Sequence, residues 1–419
     1  MLGYLYRAFA EPDPPRYSSP GVDGRVGSGG DKTKHATVGA GMKHDFMRFG
    51  LPVAPSLGLF AGRISIPPAL LRSALIVAKF FGLFQVARYI TRDGLRIICY
   101  HGVAVAEEYE YRSRLFIRKE LFRRRIEYLR CKCYPILPLG EAVEALTQGP
   151  LPPCATVITM DDGWEGVYSV ALPIIKELEI PVTLYVPTFY VEHRMPVFTV
   201  TLSYLFWRTK ARQVELPRGL GIFALDSKAE QAEAVAQELG GALPAADRLK
   251  FLKEMAEALD VSFEEIETQH LFRALDEQQL RQLADAGVDI QLHSHSHQWS
   301  VDDSRTTVEA EIADNRRFLE NVVSRPLEHF CYPSGIYGPH QGEWLAALGV
   351  KSATTIEPGL NYPDTPRFAL RRLMDGHPVS DIEFEAEMTG FMEIVRALRE
   401  RRLFRMLRRR LCSYRAAYG

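Results

Sequence analysis

A chain of 419 residues, 47% hydrophobic and 25% charged, is long enough for one large domain with appendages or for two domains, and its composition is that of an ordinary globular protein. A formal net charge of -1 leaves no bulk field to draw the whole molecule to nucleic acid, so any basic attraction is local. The cysteines, Cys99, Cys131, Cys133, Cys154, Cys331 and Cys412, are too few and too irregularly spaced for a secreted disulfide framework, which points to packing thiols in a reducing compartment.

Residues 1–66 are rich in Gly, Pro, Ser and charge, as in Pro12-Asp13-Pro14-Pro15, and disorder is expected there. No basic stretch leads into an uninterrupted apolar run with a small-residue cleavage site, so the expected location is cytoplasmic or peripheral to a membrane. Over 67–92 an amphipathic helix is predicted, with two prolines at its start and apolar residues dominating from Ala69 to Val86. Arg72, Lys79 and Arg88 interrupt it, which suits a helix docked on the domain or lying in a membrane interface better than one that spans.

From 93 to 388 strand-like and helix-like segments alternate. Strands are predicted at 95–100, 135–137, 156–159, 182–186, 288–292, 330–332, 352–355 and 368–373. Helices are predicted between them at about 118–130, 141–146, 171–178, 276–286, 306–322 and 341–348. Asp276 is a good N-cap, Gly287 a good stop, and Thr306 with Glu309 forms a capping box. This alternation predicts parallel strands with helices packed outside them, a barrel with its active residues at the strand C-termini. Residues 192–270 break the rhythm, with helices predicted at 228–239 and 245–259, and read as an insertion between barrel units. A basic helix closes the chain within 389–419; Arg408-Arg409-Arg410 suits anionic headgroups, and a solvated basic helix is the alternative.

The run Thr156-Val157-Ile158-Thr159-Met160 stops at Asp161-Asp162-Gly163-Trp164. Adjacent side chains on an extended backbone point opposite ways, so one aspartate can grip a metal while the other handles protons. A helix N-cap beside a solvated acid is the other reading. After the strand at 288–292 come His293, His295 and His297 at alternate positions. His293 and His297 can converge whether the backbone stays extended or turns as a helix. With one carboxylate they make a three-ligand set that leaves positions open for water and substrate, and Asp161-Asp162 supplies that partner; a chance His-rich loop is the alternative.

Together and in this order these segments resemble the polysaccharide deacetylases, the NodB-homology family. Thr159-Met160-Asp161-Asp162-Gly163 resembles the family's T-F-D-D-G motif, His293-Ser294-x-x-His297 its H-[ST]-x-x-H motif, and Phe330-Cys331-Tyr332-Pro333-Ser334-Gly335 its third motif. Tyr100-His101-Gly102-Val103 is similar to an element that precedes the first motif in many members. The resemblance implies an α/β fold, a deformed (β/α) barrel with flanking helices. It also implies metal-dependent removal of N-acetyl groups from amino sugars of a polysaccharide or lipid-linked glycan precursor.

By the same resemblance Asp162, His293 and His297 hold a divalent metal, zinc being the expected one, Asp161 is the general base, and the backbone N–H near Ser334 supports the oxyanion. Most members place the general acid in a late L-x-H motif, which Asp375-Gly376-His377-Pro378 does not match. Members resembling the biofilm poly-N-acetylglucosamine deacetylases carry that histidine on an early strand, where His101 stands; a satisfied strand-end histidine is the alternative. Cys331 occupies a place where the family often has an arginine that orients the base, and Arg372 is the expected substitute unless Arg371 and Arg372 are a surface pair. Trp164, Tyr332 and Tyr337 are expected to stack on sugar rings, with core packing the alternative for at least half of the motif-side aromatics. Two other outcomes stay open: hydrolysis of another non-peptide C–N bond, as in a formamide or cyclic amide, and a catalytically silent glycan-binding barrel.

Overall fold

Short β-branched and apolar runs become strands here wherever both of their faces are covered. The computed structural model describes residues 67–399; the expected disordered stretch and most of the basic C-terminal helix lie outside the described residues. The described residues from Arg72 to Arg399 belong to one compact unit, and of a second, Asp13–Leu71, only 67–71 are described.

In chain order the described strands are β1 (Arg96–Tyr100), β2 (Gly102–Val103), β3 (Phe116–Ile117), β4 (Thr156–Met160), β5 (Thr183–Val186), β6 (Gln213–Leu216), β7 (Gly221–Ala224), β8 (Asp289–Leu292), β9 (His329–Cys331), β10 (Ser352–Thr354) and β11 (Leu373–Met374). Seven of them form one sheet in the order β10-β9-β8-β5-β4-β1-β11. Every pair in it is parallel. Its two edges are drawn together by the segment that leads into β11: Leu370 bridges Thr354 in parallel, with hydrogen bonds of 2.9 Å from Leu370 N to Ala353 O and from Thr355 N to Leu370 O. Three residues later Leu373 pairs with Ile98 of β1. The sheet thus curls into the expected deformed (β/α) barrel, with helices such as Lys119–Cys131, Glu277–Asp285 and Arg305–Val323 outside it.

Strand alternation divides the core. Ile97 and Val157 join Leu95, Tyr185, Cys331 and Leu370 in a small buried cluster inside the curl. Ile98, Tyr100, Ile158 and Met160 join Phe122, Ile126 and Leu283 in the larger cluster beneath the helices. Cys99, Thr159 and Asp161 continue the inner set, so polar atoms at these positions are shut away from water and need partners.

Several elements differ from the sequence expectation. The strand expected at 135–137 is a single parallel bridge, Ile136 to Thr156, because Pro135 and Pro138 cannot donate to a ladder. The helix Arg305–Val323 is capped by Ser304, whose side chain accepts from Thr307 N, rather than by Thr306. Asp276 caps Glu277–Asp285 as expected, in a reciprocal box with Gln279. Between β5 and the barrel helix Glu277–Asp285, the chain holds four helices of six residues or more, Phe198–Arg208, Leu225–Ala242, Ala245–Ala258 and Phe263–Thr268, and the antiparallel hairpin β6–β7, around a core of its own that includes Phe198, Leu202, Phe251 and Met255.

The helix expected over 67–92 is two helices, Pro68–Phe80 and Leu83–Ile90, bent by 80° where Gly82 takes a left-handed φ of 74°. No single helix among the described residues is long and apolar enough to cross a membrane.

Candidate active site

Parallel strands bring their C-termini to one rim, so the residues that follow β1, β4, β8 and β9 meet there although they are far apart in sequence. Asp161 keeps the inward alternation of β4 and is 2% exposed. Asp162 then adopts φ 71° and Gly163 φ 63°, a left-handed turn that separates the two carboxylates. The two carboxylates thus face different surroundings, and neither caps a helix.

Asp162 faces two imidazoles. Its Oδ1 lies 3.3 Å from His293 Nε2 and 3.2 Å from His297 Nε2. Its other oxygen, Oδ2, accepts a hydrogen bond of 3.1 Å from Trp164 Nε1. His293 is fixed from behind: Nδ1 donates to the Cys331 carbonyl at 2.7 Å, which turns the ring so that Nε2 faces Asp162. The loop between the histidines is neither extended nor helical, because Ser294 and His297 both take left-handed φ, 61° and 60°. His293 and His297 therefore meet with ring centroids 4.9 Å apart, while His295 turns aside to Thr188 Oγ1 at 2.9 Å. Glu311 holds this loop by accepting from His295 N at 2.9 Å and Ser296 N at 2.8 Å. Buried Asn315 accepts from His293 N at 3.0 Å and donates to Val186 O at 2.9 Å.

One donor atom each from Asp162, His293 and His297 lies within 4.8 Å of the others. Two imidazole nitrogens and a carboxylate oxygen, with one tautomer already set by a backbone carbonyl, fit a divalent metal. Among the described residues two other groups satisfy the same spacing, Cys99–His101–Asp161 and Asp161–His293–Cys331. Both contain Asp161, whose oxygens are already taken by a cation, which leaves Asp162–His293–His297 the better site.

That cation is Arg372, 1% exposed, which grips Asp161 with two hydrogen bonds of 2.8 Å, one to each oxygen. Its Nε donates to Thr355 O at 2.7 Å, and Cys331 Sγ lies 3.2 Å from its outer nitrogen. Burial alone would lift the Asp161 carboxyl, but the guanidinium outweighs it and brings the group down to about 2. The thiols of Cys99 and Cys331 each lie 3.5 Å from Asp161 Oδ2. His101 Nε2 stands 4.0 Å from the same oxygen, and burial holds its imidazolium below the ordinary 6.5.

The aromatic residues divide differently from the sequence expectation. Trp164 is 3% exposed, packed edge-on to Phe116 at 5.1 Å, and serves Asp162 rather than a sugar ring. Tyr332 is fully buried among Trp299, Phe330 and Tyr337, so stacking on a ligand is closed to it. Tyr337, half-buried and stacked on Tyr332 at 5.0 Å, keeps a face toward solvent. Ser334 is exposed at φ 56° in the turn that follows β9. Sequence reasoning missed Cys99, Glu311, Asn315 and the service of Trp164 to Asp162. Of these only Cys99 had a readable signal, since it lies two residues before His101 on a strand and so shares its face.

Residues 148–353 match the family model described as polysaccharide deacetylase, a span that holds Asp161, Asp162, His293, His297 and Ser334 but neither His101 nor Arg372. YxkH of Bacillus subtilis (strain 168), which carries a polysaccharide deacetylase name, is 25% identical over 112 residues, 27% of this chain and 40% of that protein. This chain thus spans well under two thirds of that relative. Among solved structures, a Streptococcus pyogenes deacetylase, PplD in complex with acetate, aligns with a TM-score of 0.48 and 19% identity over 70% of this chain and 98% of its own. IcaB from Ammonifex degensii aligns with a TM-score of 0.47 and 19% identity, over 71% and 97%.

Proposed function

We propose, for a chain whose residues 148–353 match the polysaccharide deacetylase family model, that it hydrolyses N-acetyl groups from amino sugars of a polysaccharide or a lipid-linked glycan precursor. The observation that carries this reading is the pairing of two unlike carboxylates on one rim. Asp162 is committed to His293 and His297, and Asp161 is held ionised by Arg372 beside His101.

Asp162, His293 and His297 would hold a divalent metal, zinc by the chemistry of the donors, which when bound polarises the amide carbonyl and acidifies the attacking water. Asp161 takes the proton of that water. Arg372 keeps it anionic at any working pH and fixes the direction of its carboxylate. An amine leaves poorly unless protonated, and His101 is the group that delivers the proton to it. Because burial keeps His101 below 6.5, it enters the reaction neutral near pH 7 and acquires the proton it passes on, with Asp161 Oδ2 4.0 Å away as the neighbouring source. The backbone at Ser334 supports the developing oxyanion. Of the three aromatics beside the motifs, Tyr337 is the one that offers a sugar a face.

The test is acetate release from N-acetylated glucosamine oligomers by the metal-loaded protein, with Asp161→Asn and His101→Ala beside it. Release by the wild type, lost in both variants at unchanged metal content, supports these roles. Metal loading with no release from any acetylated glycan would favour the silent barrel, for which Cys331 and the missing late histidine speak. Turnover of a formamide or cyclic amide instead would move the substrate class.

A further inference from the structure

The two N-terminal helices use only one side of themselves in the fold. Leu75, Ala78, Phe84 and Ala87 are buried, with Phe84 against Phe391 at a centroid distance of 5.1 Å. Arg72 pairs with Glu383 at 3.2 Å, Lys79 pairs with Glu385, and Arg88 donates to Lys132 O at 2.6 Å. The rest of the apolar content is left bare: Ile76, Val77, Phe80, Phe81, Val86 and Ile90 are between 54% and 83% exposed. Their spacing gathers them on one side of each helix, and Phe80 and Phe81, rings 5.4 Å apart, carry that side to the bend at Gly82. An exposed apolar run of this kind marks a surface that meets something.

Charge decides what it meets. Between Pro67 and Arg92 the sequence has Arg72, Lys79, Arg88 and Arg92 and no acidic residue. The helical segment 391–399, seated here through Phe391, leads directly into residues 400–419, which hold seven arginines and one glutamate, with Leu403, Phe404 and Leu407 among them. Arg72, Lys79 and Arg92 already meet Glu383, Glu385 and Asp93, so the charge that selects the occupant is that of residues 400–419: a second copy would bring two arginine-rich segments together, whereas anionic headgroups would neutralise them. A pair bent by 80° with no single helix long enough to span suits a position in the plane of the surface.

We propose that Pro68–Phe80 and Leu83–Ile90 form a docking surface for an anionic lipid bilayer, the bare apolar side entering the headgroup–acyl boundary. The proposal stands independently of the catalytic reading. It is tested by sedimentation of the full-length protein with phosphatidylcholine vesicles, with and without about one third phosphatidylglycerol. The comparison is with F80E/F81E, whose substituted side chains are 83% and 71% exposed and whose fold is checked by a thermal melt. The expected result is binding to the anionic vesicles alone, weakened about tenfold or more in the variant. No binding to anionic vesicles, equal binding to neutral ones, or undiminished binding of F80E/F81E would each overturn it. So would a concentration-dependent dimer abolished by F80E/F81E in a protein that ignores vesicles, since a second copy would then cover the face.

Discussion

Replacing Arg372 by methionine removes the charge while keeping most of the side-chain bulk, and its cost can be worked from the geometry. Asp161 and Arg372 are 2% and 1% exposed and joined by two hydrogen bonds of 2.8 Å. Unit charges about 4 Å apart at an effective dielectric of about 20 attract by about 4 kcal/mol, and breaking a buried pair by deleting one partner costs about 3–5 kcal/mol. Arg372→Met should therefore lose about that much stability in urea unfolding at pH 7. The pH dependence carries a sign. In the wild type the Asp161 carboxyl sits at about 2, below its unfolded 3.8, so its contribution is present above about 4 and fades as pH falls toward 2. Without the guanidinium, burial lifts the carboxyl above its unfolded value, and the group then weakens the fold as pH rises through that new value. The gap between wild type and variant should thus widen with pH. Adding Asp161→Asn to Arg372→Met should recover stability by removing the orphaned charge. A loss under about 1 kcal/mol, or a double variant less stable than Arg372→Met alone, would refute the account of a compensated buried pair.

Two further outcomes follow from other contacts. Trp164→Phe keeps the packing on Phe116 but removes the donor to Asp162 Oδ2 at 3.1 Å, so metal affinity should fall about 10–100-fold in a competitive chelator titration with the fold unchanged; unaltered affinity would show that the contact does not orient Asp162. Buried His329, whose Nδ1 meets Ser352 Oγ at 2.8 Å, is pushed down to about 4 by desolvation, so the unfolded state binds more protons between about 4 and 6.5 and stability is lost as pH falls through that window. At 1.36 kcal/mol per pH unit the loss is at most about 3 kcal/mol. His329→Gln should flatten that part of the stability–pH curve, and parallel curves would remove His329 as its cause.

The parallel barrel was legible because its strands are short apolar runs separated by amphipathic helices, a pattern that leaves few other arrangements. What hid from the sequence were features that depend on backbone sign or on distant partners. Gly82 ends one helix by a left-handed turn inside an otherwise continuous apolar periodicity, and glycine in such a run is as readily tolerated as obeyed. The hairpin β6–β7 turns through Gly219 and Gly221, both at positive φ, beyond strands too short to show alternation. In the site, Asp161, Asp162, His293 and His297 stood out because their side chains sit where strands stop. Trp164 did not, since an indole beside a motif reads equally as platform, packing or donor until its nitrogen is seen 3.1 Å from Asp162. Glu311 and Asn315 sit on the helix Arg305–Val323 among other polar residues, and only the fold aims them at the histidine loop.

Arg372 and Cys331 show why a motif position and a physical requirement are different things. What Asp161 needs is one cation at its two oxygens, and any rim segment that reaches them can supply it. Here the cation comes from the segment that closes the barrel between β10 and β11, and Cys331 is small enough to let it pass, with Sγ 3.2 Å from the guanidinium. An arginine at position 331 would then be harmful rather than conservative, because a second buried guanidinium would share one carboxylate with the first, in a place where Cys331 is fully buried. Cys331→Arg alone should therefore lower stability by several kcal/mol, while Cys331→Arg combined with Arg372→Met should recover part of the loss and part of any deacetylase activity. Urea unfolding of the two single variants and the pair decides the matter through the sign of their coupling. If Cys331→Arg is as stable as wild type, or the pair is merely additive, the two positions do not compete for Asp161.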